Sequence, residues 1–233
     1  MDDNNISYLI VNALKSHNTD HTPYKGTFTA DAFHDLIRRQ RFFKGTSYFI
    51  VNTLTSRSHY SEVGHWVAIS LHLNPSKKML NLKFFDSFAK NAAHYRPYIS
   101  KAIKFIRQQC RKLNVKVEFD TLTKPIQSIT SKLCGMFAAL FVIKSSLQKK
   151  VGKISRMFKS YILRAKKKIL NDRSALGELV KYFPSCHDRS IYNNMKKAVI
   201  ELKEAPPFCA MKTLGAKRCI TRCECAKKPC TDT

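Results

Sequence analysis

The sequence predicts an α+β fold: a small mixed β-sheet flanked by helices, with a cysteine at the N-terminus of one of them. Three observations predict it. Short segments rich in β-branched and aromatic residues carry strand patterning, as in "SYFIVNTLT" (47–55) and "HWVAISLHL" (65–73). Longer segments carry apolar residues at helical spacing. A two-residue turn signal, Asn74-Pro75, separates two of the strand segments and points to an antiparallel hairpin.

Taken in order, "ISYLIVNALKS" (6–16) has apolar residues at Ile6, Leu9, Ile10, Ala13 and Leu14, one face of a helix. The polar stretch "HNTDHTPYKGT" reads as a loop, and 47–55 as a strand. In 65–73, Val67, Ile69, Leu71 and Leu73 alternate with smaller or polar residues, and "MLNLKFFDSF" follows as the partner strand. From Ala92 to Leu113 the period lengthens, with Tyr95, Ile99, Ala102, Ile103, Ile106 and Leu113 on one helical face. Val115, Val117 and Phe119 then alternate with charged residues as a further strand. A loop containing Pro125 leads to Cys134, Gly135 and a long apolar helix. Beyond it, Val151, Ile154, Phe158, Tyr161, Ile162 and Ile169 fit one amphipathic helix with a cationic outer face. Residues 1–205 are expected to form one domain that includes this basic helical segment (144–170), and 206–233 a Cys-rich basic tail.

A chain of 233 residues with 44% hydrophobic content can bury a sizeable core. No stretch approaches the roughly 20 apolar residues of a membrane span, and "MDDNNISYLI" lacks the basic-then-apolar start of a secretory signal. The chain is therefore expected to act inside a cell and away from membranes. Its net charge of +26, from 42 Lys and Arg against 16 Asp and Glu, points to a polyanionic partner. Between Thr121 and Asn171 there is no acidic residue at all. Within that span lie Lys144, Lys149, Lys150, Lys153, Arg156, Lys159, Arg164, Lys166, Lys167 and Lys168. An ordinary charge run is a solvated helix face. Cations without interleaved acids repel one another, and that favours polyanion binding.

A nucleophilic cysteine needs thiolate character, a base, a group to orient the base, and donors for an oxyanion. The N-terminus of a helix supplies the first at Cys134, and Gly135 would allow close approach of a substrate backbone. The best placed base is His65 in "GHWVAI", at the mouth of a strand between Gly64 and Trp66, the sole tryptophan. Asp86 in "FFDSF" ends the partner strand, so a hairpin would bring it beside His65, 21 positions away. Gln127, seven residues before Cys134, could add its amide to the Cys134 backbone N–H as an oxyanion donor. The matching chemistry is acyl transfer to a thiolate, with His65 protonating the leaving amine. Each residue alone also has a plain structural reading: a packed thiol, a strand-edge histidine, a turn aspartate, a solvated glutamine.

In the order GHW, FFDS, PIQS, CGMF, these words resemble the adenovirus maturation protease (adenain) family, whose wider clan includes the SUMO-deconjugating proteases. The opening segment with "PYKGTFTADAF" and the "FIVNT" before the histidine strand are similar too, so the resemblance covers about residues 5–145. It implies His65 as base, Cys134 as nucleophile, Asp86 as orienter, Gln127 in the oxyanion hole, and Gly64, Trp66 and Gly135 along the substrate cleft. The adenovirus enzymes have a glutamate where this chain has Asp86, whereas aspartate is typical of SUMO proteases; a related viral or virus-like transposon lineage is implied. The resemblance further implies a monomeric endopeptidase of capsid and core precursors. It would be active in the virion and the host nucleus or a cytoplasmic virus factory, and would need no cofactor for its chemistry. DNA would be its activator, bound by Lys149, Lys150, Lys153, Arg156, Lys159, Arg164, Lys166, Lys167 and Lys168. A Cys-bearing basic peptide activates adenain by disulfide formation, and "GAKRC" in the tail has similar character.

The tail cysteines Cys219, Cys223, Cys225 and Cys230 follow a C-x3-C-x-C-x4-C spacing rather than the paired C-x2-C units of structural zinc sites. No metal is expected, and a disordered basic tail is the plainer reading. Two other functions fit parts of the pattern: a protease that deconjugates a ubiquitin-like modifier, and a non-enzymatic nucleic-acid-binding protein with a zinc tail.

Overall fold

The computed structural model describes residues 3–40, 45–58, 64–129, 131–148, 152–164 and 168–182. All lie within the unit Met1–Leu202. Helix α1 (Asp3–Ser16) leads into strand β1 (Tyr24–Thr29), helix α2 (Ala30–Arg39) and strand β2 (Thr46–Asn52). Strands β3 (Trp66–Asn74) and β4 (Met79–Phe85) follow, then a 3-10 turn at Ala92–His94, helix α3 (Tyr98–Lys112) and strand β5 (Lys116–Thr121). Helix α4 (Cys134–Leu147), the short α5 (Ile154–Met157) and α6 (Lys159–Leu163), and α7 (Lys168–Lys181) complete the described chain.

The five strands form one mixed sheet in the order β1-β2-β3-β4-β5. The two outer pairs are parallel and the central pairs antiparallel. The β3–β4 hairpin is the one expected, in the register Ala68↔Phe85 to Asn74↔Met79. Its turn is closed by Asn74, whose side-chain oxygen accepts from the Lys77 N–H at 3.1 Å and the Ser76 hydroxyl at 2.7 Å.

Period-two alternation sends residues to two cores. Phe49, Val51, Val67, Ile69, Leu71, Leu80, Leu82 and Phe84 face α2 and α3. Tyr48, Ile50, Trp66, Ala68 and Phe85 face α1, α4 and the C-terminal helices. Strands covered on both faces read as nearly continuous apolar runs, as "YFIV" and "WVAI" do. Helix α4 is apolar all round because it is enclosed all round: every residue from Gly135 to Ile143 is buried.

Two sequence expectations change. The stretch expected as a loop contains the start of β1, and α2 follows it directly. Tyr24, Phe28 and the edge position of β1 leave only a weak strand signal. The basic segment 144–170 is not one helix; it comprises the end of α4, the short α5 and α6, and the start of α7. The break is fixed by the sheet. Lys83 of β4, buried, donates its Nζ to the Gly152 carbonyl, and Asp120 of β5 accepts from the Ile154 N–H at 2.7 Å. These bonds draw the chain against the sheet edge where a straight helix would leave it. Among the described residues no helix is long and apolar enough to cross a membrane.

Phe85 stacks on Phe141 of α4 (5.0 Å between ring centroids) and on Phe158 (4.8 Å), tying β4 to both. Phe85→Ala should lower the unfolding free energy by about 3–5 kcal/mol, read from urea denaturation followed by tryptophan fluorescence. A loss below about 1 kcal/mol would show that this stack does not hold the layer together.

Candidate active site

Two hydrogen bonds to Thr53, one from its backbone N–H and one to its side-chain hydroxyl, extend the β2–β3 pairing past its end and set the position of His65. Its N–H donates to Thr53 Oγ1 at 3.0 Å, and its carbonyl accepts from the Thr53 N–H at 2.9 Å. Gly64 precedes it because a side chain there would collide with Asn52, whose Oδ1 lies 2.1 Å from where a Cβ would stand. Across the hairpin, β4 ends at Phe85 and Asp86 follows. His65 Nε2 and Asp86 Oδ1 are 2.7 Å apart.

Asp86 is 0% exposed. A carboxylate can be buried only if it is fully partnered, and this one has four donors. Besides the imidazole, Oδ1 accepts from the Phe88 N–H at 2.8 Å, while Oδ2 accepts from the Lys90 N–H at 3.0 Å and the Tyr95 hydroxyl at 2.7 Å. The turn that aims these amides places Ala89 at φ +57°, left-handed backbone that costs a non-glycine residue about 1–2 kcal/mol. Burial opposes ionisation of Asp86, but the bond to His65 leads the contacts that outweigh it, and the carboxyl is held below its usual range. Tyr95 lies nearly parallel to the imidazole at 6.1 Å, and Phe88 stacks on it at 4.8 Å. The ring is thus gripped on its plane and at Nε2.

Nδ1 of His65 is left for Cys134, the first residue of α4, with which the ring hydrogen-bonds. No side chain caps α4. Its first-turn amides therefore stay available, and the Gly135 N–H, with that of Trp66, points at the sulfur. Burial would raise the Cys134 thiol; the His65 imidazole, above all, and the two amides bring it below its ordinary value. Burial would lower His65, but Asp86 and Cys134 raise it to about 9. Both shifts favour a thiolate–imidazolium pair near neutral pH.

Of the residues singled out in the sequence, His65, Asp86 and Cys134 come together. Gln127 is 1% exposed. Its Oε1 accepts from Ser87 Oγ, and its Nε2 donates to the Ser131 carbonyl at 2.8 Å with a looser 3.5 Å contact to Ser131 Oγ. One amide hydrogen is thus spent on the loop itself. Gly135 and Trp66 do not form an open cleft wall. A Cβ on Gly135 would stand 2.9 Å from Ile6 Cδ1 and 3.2 Å from Trp66 Cδ1, and Trp66 is 7% exposed. Here the missing side chain lets α4 pack against α1 and β3. Tyr95 was readable only as a core position on a helix face; its polar end would have been betrayed only by a need for a fourth donor on Asp86.

Of the cations singled out, Lys153, Arg156, Lys159 and Arg164 are exposed and Lys168 is partly so, while Lys149, Lys150, Lys166 and Lys167 lie outside the described residues. Arg164 donates to the Ser160 carbonyl and to Ser174 Oγ, and Lys144 is held internally by Glu178 at 2.6 Å. The tail cysteines, including those of "GAKRC", also lie outside the described residues. Among the described residues no group of three or more His, Cys, Asp or Glu is arranged to hold a metal ion.

No protein-family model matches the chain, and no curated protein matches it in sequence. Solved structures similar to it include the ASFV pS273R protease, at 14% identity and a TM-score of 0.45, over 69% of this chain and 66% of that one. The chain therefore spans just under two thirds of that protease. The central domain of the uncharacterized Lpg1148 protein from Legionella pneumophila matches at 12% identity and a TM-score of 0.45, over 78% of this chain and 98% of that one. AvrA, solved with IP6 and CoA, matches at 15% identity and a TM-score of 0.40, over 84% of each chain.

The ion pair sets an expected reactivity. Alkylation of Cys134 by iodoacetamide, located by peptide mass spectrometry, should rise at a pH below the ordinary thiol value of about 8.5. In His65→Ala burial acts without its main counterweight, so the rise should move to or above that value. Identical pH profiles for the two proteins would mean that no ion pair forms.

Proposed function

We propose that the protein is a cysteine endopeptidase. The observation that carries this reading is the assembly of the Cys134 sulfur, the His65 ring and the fully partnered Asp86 carboxylate from three separate segments at one end of the sheet. A thiol held below its ordinary value beside an imidazole held above its own has little purpose in a passive core.

The reaction follows from the placement. The Cys134 thiolate attacks a peptide carbonyl carbon, and the carbonyl oxygen takes the negative charge. The Cys134 backbone N–H and the second hydrogen of Gln127 Nε2 receive that oxyanion. His65 gives its Nδ1 proton to the leaving amine as the C–N bond breaks, leaving a thioester on Cys134. Water then gives a proton back to Nδ1 as it attacks the thioester, releasing the acid and restoring the thiolate. Asp86 keeps the ring oriented and its charge compensated throughout, without itself taking a proton.

For substrate and setting, the resemblance of the GHW, FFDS, PIQS and CGMF words supports a viral enzyme that matures capsid and core precursors, acting in the virion and in the nucleus or a cytoplasmic factory of the infected cell. The net charge of +26 supports DNA as its activator. Lys153, Arg156 and Lys159, exposed on and beside α5 and α6, are the described cations best available to phosphates.

Purified protein incubated with capsid precursors should cleave them, and Cys134→Ala should abolish cleavage. His65→Ala should reduce kcat by about a million-fold. Cleavage of a fusion to a ubiquitin-like modifier, with precursors left intact, would replace the substrate class and keep the chemistry; cleavage of neither would remove the protease reading.

DNA should accelerate cleavage by the wild type. In a Lys153→Gln, Arg156→Gln, Lys159→Gln variant the slope of log affinity against log salt should fall by about 0.9 for each phosphate that is no longer neutralised. Unchanged DNA affinity and unchanged stimulation would move the polyanion site elsewhere.

A further inference from the structure

The loop from Ile126 to Leu133 carries Gln127 and delivers the chain to Cys134, and it is held from two sides. On the catalytic side, the Ser87 carbonyl, next to Asp86, accepts from the Ile126 N–H at 2.9 Å and the Gln127 N–H at 3.3 Å. The opposite side is held by α7, which begins more than 30 residues beyond Cys134. Two consecutive polar side chains of α7, Asn171 and Asp172, are each 0% exposed. Asn171 Nδ2 donates to the Ile126 carbonyl at 3.0 Å and to the Tyr161 carbonyl at 2.9 Å. Asp172 Oδ1 accepts from the Ser128 N–H at 3.4 Å. The loop closes on itself through Gln127 Nε2 to the Ser131 carbonyl, and Ser131 Oγ accepts from the Leu133 N–H at 3.2 Å.

Burying two polar side chains side by side costs several kcal/mol unless their bonds repay it, and here the repayment is partial. Among the described residues neither Asn171 Oδ1 nor Asp172 Oδ2 has a hydrogen-bond partner. Burial pushes the Asp172 carboxyl up to about 7, against the opposing contacts of the Ser128 N–H and the Ser131 side chain. An apolar pair would cover the loop more cheaply. What it could not do is grip the peptide groups on either side of Gln127.

We propose that Asn171 and Asp172 are positioning residues that hold Gln127 at the oxyanion through the peptide groups of Ile126 and Ser128. This rests on the cysteine endopeptidase reading. It also gives the helices that follow α4 a part in catalysis beyond charge. The anchor is itself braced: Glu178 of α7 accepts from Lys144 of α4 at 2.6 Å and from the Tyr161 hydroxyl at 2.5 Å. The loop therefore sits between two elements that are tied to the nucleophile helix.

The full chain, Asp172→Ala and Asp172→Asn would be compared in three measurements. A small displacement of a transition-state donor costs up to about a hundredfold in rate. Asp172→Ala should accordingly lower kcat ten- to a hundredfold with KM within about twofold. Asp172→Asn, which keeps an oxygen for the Ser128 N–H, should recover most of the loss. Alkylation of Cys134 at neutral pH should be the same in all three, since the ion pair is untouched. Hydrogen exchange should accelerate over 126–133 in Asp172→Ala, with β3 and β4 unchanged. Wild-type kcat in Asp172→Ala, alkylation falling in step with kcat, or unaltered exchange over 126–133 would each overturn the proposal. The exchange result stands whether or not a substrate is cleaved. Failure of the endopeptidase reading would be seen separately, as slow alkylation and no cleavage in the wild type.

Discussion

Asp86 is a charge that the fold has taken out of water, and much of the surrounding structure is arranged so that it can stay there. A lone buried carboxylate would take up a proton rather than remain ionised. Four donors prevent that here: an imidazole, a phenol and two amides of a tight turn. The turn accepts a left-handed alanine to aim those amides, and the 3-10 turn that follows brings the Tyr95 hydroxyl to Oδ2. Once the carboxylate is fixed in charge and place, the imidazole beside it is raised and oriented, and the sulfur beyond the imidazole is lowered. One buried charge thus propagates through one ring to the atom that would do the chemistry.

The second partner of that arrangement is helix α4. Its enclosure by α1, the sheet and the C-terminal helices is what makes an uncapped N-terminus useful. In water the Gly135 N–H would be solvated; here it meets a sulfur. The same enclosure explains Gly135, where Ile6 and Trp66 occupy the space a side chain would need. It also gives the chain beyond α4 a reason to fold back. Lys144, Tyr161 and Glu178 join α4, α6 and α7 in one polar contact at the rim of the core.

The basic segment shows how charge and packing divide the labour. Its apolar residues Ile154, Met157, Phe158 and Tyr161 are buried, while Lys153, Arg156 and Lys159 are exposed. The amphipathic reading of the sequence therefore holds at Ile154, Phe158 and Tyr161, with Ile162 half-buried, although the single helix does not. Lys83 and Asp120 bend the path by bonding to Gly152 and Ile154, and neither bond leaves a trace in local periodicity.

What the sequence alone determined was whatever depends on neighbours along the chain. β-Branched and aromatic enrichment marked β2, period-two alternation marked β3 and β5, the Asn74-Pro75 turn joined β3 to β4, and an apolar run after Cys134 announced an enclosed helix. The hairpin then implied that His65 and Asp86 meet, because antiparallel pairing sets the start of one strand beside the end of the next. The tertiary structure alone decided what depends on chain segments far apart. Tyr95 became a donor to Asp86, Gly135 a packing site rather than a cleft wall, and Gln127 a residue whose oxygen is committed to Ser87 and one amide hydrogen to Ser131. Asn171 and Asp172, ordinary residues on a helix, became anchors of a distant loop. Local patterns report which face of an element is dry; they carry no record of which polar group waits on the other side, and that partner fixes the role of every buried polar side chain.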